Sequence, residues 1–91
     1  MKYHEYTPTN ITTTTTTQVA TGRGVLHTIV VGTTAAGAIT IMDGTASSTT
    51  VIGTLKSSIA EGTYTYDCVF SKGLRVTTAA SSDITVNWAQ D

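Results

Sequence analysis

His4, His27 and Cys68 are the residues of this chain with the intrinsic chemistry of a base or a strong nucleophile. Nucleophilic catalysis needs a serine, threonine or cysteine in contact with a histidine that an acid orients. His27 lies in the alternating stretch Leu26-His27-Thr28, a setting that suits a hydrogen-bonded structural or interface histidine. Cys68 shares its strand parity with Tyr64, Tyr66 and Phe70, which suits a small core residue rather than a reactive thiol. One cysteine excludes an intrachain disulfide and a multi-cysteine zinc site. Asp43, Gly44 and Thr45 offer oxygens to a cation but lack the spaced carboxylates of a calcium loop, so turn chemistry is the better account. No GxGxxG follows a strand and no GxxxxGK[ST] is present, so a phosphate-cradling loop has no support. Asn10-Ile11-Thr12 spells a glycosylation acceptor, which has meaning only on a secretory route. The expectation from these residues is no catalytic centre, no cofactor and no metal.

Composition limits the elements that could position any site. A chain of 91 residues makes one domain, able to bury about 60 to 65% of its unfolded surface. Charged residues are 12% of the sequence, about half the usual share, and five basic against six acidic residues leave a net charge of -1. Lys2, Arg23, Lys56, Lys72 and Arg75 are scattered, so no basic patch for nucleic acid is expected. No apolar run approaches a membrane span, and Met1 to Asn10 lacks the apolar centre of a signal peptide; a soluble chain made in the cytosol is expected. Threonine makes up roughly a quarter of the sequence, and its branched side chain suits a pleated surface, with the methyl packed and the hydroxyl in water.

Alternation places the strands. Gly24 to Gly44 reads as one β-hairpin, with strands Val25 to Val31 and Ala38 to Met42 around the small-residue loop Gly32 to Gly37. Either parity of Val25 to Val31 can face inward. Before it, Asn10 to Ala20 reads as a strand with Ile11, Thr13, Thr15, Thr17 and Val19 on one side, a disordered polar tract being the alternative. Thr21 to Gly24 is a turn. Asp43 to Thr50 reads as a connection, Val51 to Lys56 as a short strand in which Gly53 permits a bulge or a close neighbour, and Ser57 to Gly62 as a loop.

Thr63 to Phe70 alternates most clearly, with Tyr64, Tyr66, Cys68 and Phe70 inward and Thr63, Thr65, Asp67 and Val69 outward. Leu74 and Val76, then Ile84, Val86 and Trp88, continue the inward set. The expected core is Val30 or its neighbours, Ile39, Ile41, Leu55, Tyr64, Tyr66, Phe70, Leu74, Val76, Ile84 and Val86. About seven to eight strands with no useful helix predict an all-β fold, a single antiparallel β-sandwich or small jelly roll over residues 10–91. Residues 1–9 form an extended arm whose aromatics, Tyr3 and Tyr6, with His4, are the expected partner-binding residues. Edge strands with few lysines to block them invite self-association or docking on a larger assembly.

Beyond these readings, residues 24–88 resemble small β-sandwich virion proteins of tailed bacteriophages. The resemblance rests on Leu26 with His27, Ile39 to Thr45, Tyr66 with Asp67, Gly73 to Val76, and Asp83 to Val86. It implies a virion component, a capsid decoration or cement protein on the major capsid protein, assembled as a homo-oligomer such as a trimer. The alternatives are a phage tail or fibre module that reads a glycan, and a small carbohydrate-binding sandwich unrelated to phage. Exposed Tyr64, Tyr66 and Trp88 would favour a glycan reader, and burial of all three a structural subunit.

Overall fold

The computed structural model describes residues 6–46 and 48–90. Eight strands follow one another: β1 (Thr7–Ile11), β2 (Thr15–Thr21), β3 (Gly24–Thr33), β4 (Ile39–Thr45), β5 (Ser48–Leu55), β6 (Gly62–Phe70), β7 (Gly73–Thr78) and β8 (Asp83–Gln90). They form two four-stranded antiparallel sheets, one in the order β1-β8-β3-β6 and the other β2-β7-β4-β5. This is the jelly-roll arrangement of a β-sandwich, in which the chain changes sheet at nearly every connection. The all-β sandwich expected from the alternation is therefore what the chain forms.

The stretch read as one hairpin is a crossover. β3 pairs with β6 and β8, whereas β4 pairs with β5 and β7 in the opposite sheet. Both strands carry an apolar inner face, Ile29 and Val31 on β3 and Ile39 and Ile41 on β4. Each face is buried against the opposite sheet, and β4 crosses because β6 and β8 occupy both sides of β3. The small residues between them allow the passage: a Cβ on Gly37 would lie 2.6 Å from the Ala80 nitrogen. The true hairpin is β4–β5, so Asp43, Gly44 and Thr45 belong to a strand and not to the connection expected there.

The threonine run also divides between sheets. β1 ends at Ile11 and β2 starts at Thr15, and the buried Thr78 hydroxyl holds the change of direction. It donates to the Thr13 carbonyl at 2.6 Å and accepts from the Thr15 amide at 3.1 Å. Thr7, Pro8 and Thr9, assigned from sequence to the arm, pair with β8 as part of β1. The strand order explains this: β8 needs a neighbour on its outer side, and residues 7–11 supply it. Gly22 takes the expected turn conformation, at φ 84°, and its amide donates to the Lys72 carbonyl.

Between the sheets lie Ile11, Ala20, Leu26, Ile29, Val31, Ile39, Ile41, Leu55, Phe70, Leu74, Val76, Ile84 and Val86, with Tyr64, Tyr66, Cys68 and Trp88 half-buried against them. On β3 the burial parity changes at Thr28–Ile29, because a bulge between Leu26 and Thr28 carries His27 out of both ladders. Leu26 and Ile29 thus both point inward, and Val30 does not.

All four edge strands are interrupted. Pro8 sits in β1, β2 bulges between Gln18 and Ala20, β5 bulges at Ile52, and β6 bulges at Tyr66–Asp67. Proline and bulges, like lysine, blunt an edge. The outer faces of the two sheets, rather than their edges, are the surfaces left for contact.

Candidate functional site

The bulge that displaces His27 builds a three-residue cluster on the outer face of the first sheet. Opposite His27, β6 carries one residue too many, and Asp67 absorbs the excess in the left-handed region at φ 46°. Aspartate tolerates that region better than most side chains. Asp67 turns its Oδ1 onto His27 Nδ1 in a hydrogen bond. Tyr6, one residue before β1, lays its ring on the imidazole with centroids 4.2 Å apart and planes within 12°. A carboxylate thus orients the imidazole, and the imidazole supports the end of the N-terminal segment.

His27 is the hydrogen-bonded histidine expected from its place in a strand. Tyr6 is brought to it; Tyr3 and His4 lie outside the described residues. Cys68, adjacent to Asp67, points to the opposite side, toward the core. The thiol, the imidazole and the carboxylate therefore do not form a nucleophile–base–acid line. Burial pushes the Cys68 thiol up, and the charges of Asp43 and Asp67 push it further. Burial likewise raises the Tyr66 phenol, with Cys68 adding to it. The Tyr66 ring occupies the space a side chain on Gly53 would need, 2.8 Å from that Cβ position, so Gly53 has both the bulge beside it and the close neighbour expected.

Asp43 braces a turn. Its Oδ2 accepts from the Ser71 amide and its Oδ1 from the Lys72 amide, each at 2.9 Å. Burial acts to raise this carboxyl, but the amides of Lys72, Ser71 and Gly73 outweigh it and hold the group below its ordinary range. Asn10, in the glycosylation-like triplet, donates to Asp83 Oδ1 at 2.7 Å and to the Ile84 carbonyl at 2.9 Å. Trp88 donates its indole N–H to Thr9 Oγ1 at 3.0 Å. Among the described residues, no group of three His, Cys, Asp or Glu side chains could hold a metal ion.

The outer face of the second sheet is built in rows. Thr16, Thr77, Thr40 and Thr54 lie in register across all four strands, the first two with hydroxyls 3.0 Å apart. The next row is Gln18, Arg75, Met42 and Val51. Arg75 donates to Gln18 Oε1 at 2.9 Å, and Gln18 Nε2 is fixed on the carbonyls of Ala20 and Gly44 at 2.8 and 2.9 Å. Val51 is 59% exposed, and Val69 on the first sheet is 50% exposed. The outward placement of Val69 follows from its parity in the sequence, whereas the exposure of Val51 does not. Val69 is the apolar member of an otherwise polar outward set.

No protein-family model matches this sequence, and no curated protein matches it. Among solved structures, the chain is similar to the Drosophila NLP core, a protein described for its pentamer formation and histone binding. The two share 14% sequence identity and a TM-score of 0.56, over 94% of this chain and 97% of that one. At that identity the likeness is one of fold: the chain is an eight-stranded β-sandwich of the same general shape as the NLP core.

Proposed function

We propose that this chain is a structural subunit of a virus particle, a decoration or cement protein seated on the major capsid protein of a tailed phage, with no catalytic role. The observation that carries the reading is the character of the two outer faces, which are threonine-rich, weakly charged and marked by exposed Val51 and Val69. Such faces suit a fitted, long-lived contact better than electrostatic capture of a mobile ligand. The virion-like segments of the sequence support the choice of this assembly. The jelly roll adds support by analogy alone, since capsid proteins and lectins both use it. A glycan-reading tail module has less support, because Tyr64, Tyr66 and Trp88 are half-buried against the core instead of forming an open platform.

The subunit acts as a homo-oligomer, a trimer by the resemblance; the pentamer of the Drosophila NLP core is an instance of a chain of similar fold forming an oligomer. Histones are not the partner proposed, since six acidic residues against five basic ones give little field to attract them. Attachment runs through the N-terminal segment, which Tyr6 anchors on His27. The test mixes purified chain with undecorated phage heads and counts bound copies after sedimentation. Full-length chain is expected to saturate the heads, and a variant lacking residues 1–5 to bind more weakly. Absence of binding by the full-length chain would overturn the capsid reading; equal occupancy by the truncated chain would overturn the role of the arm.

A further inference from the structure

Among the described residues, Arg75 is the sole lysine or arginine within a strand, and Asp67 is an exposed strand carboxylate on the opposite outer face. Asp67 lies near exposed Val69, and Arg75 shares a row with exposed Val51 across Met42. Arg75, Met42 and Val51 share a row on the second sheet. Asp67 and Val69 lie two residues apart on β6 and face outward from the first. β5 and β6 are the edge strands of their sheets, and the Tyr66 ring against Gly53 puts them at the same side of the sandwich. The two patches are thus complementary in charge and each carries an exposed valine; Val51, Asp67 and Val69 lie along one margin of the sandwich, and Arg75 lies inward of it on β7.

We propose, resting on the homo-oligomer reading above, that a second copy of this chain docks the Asp67–Val69 patch of its first sheet onto the Arg75–Met42–Val51 patch of the second sheet. Gln18 holds the Arg75 side chain in place before contact, which lowers the entropy lost on binding. The Asp67 carboxylate contacts His27 through Oδ1, and its Oδ2 meets the incoming guanidinium. Arginine and methionine are enriched at interface cores, and an apolar surround keeps water from the ion pair. The contact is heterologous, so successive copies close into a ring if the rotation between them divides a circle.

Analytical ultracentrifugation of the full chain across a concentration series tests this. Arg75→Glu and Asp67→Lys, each alone, are expected to weaken association at least about tenfold, and the double reversal to restore it. Val51→Asp, at an exposed position, should weaken association while leaving the circular dichroism spectrum and melting temperature unchanged. That variant keeps the test decisive if a charge reversal disturbs folding. An oligomeric wild type whose mass is unmoved by Val51→Asp and by both reversals would overturn the interface and leave the homo-oligomer reading standing. A wild type that is monomeric at every concentration would overturn both, and the head-binding experiment above would still judge the capsid reading separately.

Discussion

Replacing Gly44 with alanine separates two physical effects that usually arrive together. Gly44 has φ 147°, a region that L side chains rarely adopt, and a Cβ there would lie 2.0 Å from the Ser48 carbonyl oxygen. Gly62 has nearly the same φ, 149°, but nothing within 4 Å of its Cβ position. Gly62→Ala therefore carries backbone strain alone, about 1–3 kcal/mol. Gly44→Ala carries that strain plus a clash with main chain, which cannot swing aside as a side chain tip can. Relief requires opening the β4–β5 hairpin at the Gly44–Thr49 and Thr45–Ser48 pairs. It also withdraws the Gly44 carbonyl from Gln18. An overpacking cost of about 1–3 kcal/mol adds to the strain, giving about 2–6 kcal/mol, against a total of about 5–14 kcal/mol for a domain of this size. Urea denaturation of both variants reads the difference, with Gly44→Ala expected to have the midpoint lower by about 1 M or more. Equal midpoints would refute the assignment of the extra cost to the Ser48 contact.

Three further outcomes follow from the same geometry. Phe70, fully buried, should cost about 3–5 kcal/mol when truncated to alanine, measured by the same denaturation. Cys68, with its thiol raised by burial and by Asp43 and Asp67, should be labelled slowly by a thiol reagent in the native protein at neutral pH and rapidly in urea; fast native labelling would contradict its half-buried, inward placement. Asp43 has a folded-state carboxyl below its ordinary range, so it adds stability above that ordinary range, near pH 4, that is lost as pH falls through the lower folded value. Asp43→Asn should flatten that acid slope in a pH series of melting temperatures, by a modest amount because the group is open to solvent screening.

Much of the fold was legible because β6, β7 and β8 each bury one parity throughout most of their length. Tyr64, Tyr66, Cys68 and Phe70 face in, as do Leu74 and Val76, and Ile84 and Val86. The crossover from β3 to β4 was not legible, since a loop of glycine and alanine serves a hairpin and a sheet change equally. Its outcome depends on which strands come to lie beside β3, and those are β6 and β8 from the far end of the chain. Bulges hid for the same reason. Nothing local to Leu26-His27-Thr28 reveals that His27 leaves the ladder, because the excess residue that meets it is 40 positions away, at Asp67. Tyr6 was marked from sequence as a partner-binding residue of the arm, whereas its stacking on His27 of the same chain emerged only from the register of three strands. The row of Gln18, Arg75, Met42 and Val51 likewise comes from four strands, and no single segment displays it.

The deletion that isolates the arm changes with the structure. Removing residues 1–9 would strip Thr7, Pro8 and Thr9 from β1 and take the Thr9 acceptor from Trp88. A deletion of residues 1–5 keeps every residue of β1 in the chain.

The central claim is that this chain is a structural subunit on a phage capsid. The most direct measurement is a cryo-electron microscopy reconstruction of phage particles assembled with this chain present, with the chain quantified in the same particles by mass spectrometry. The expected result is ordered sandwich density on the capsid lattice, in rings of copies, at a stoichiometry fixed by the lattice. Particles that lack the chain, or that carry it only at the tail tip, would contradict the claim.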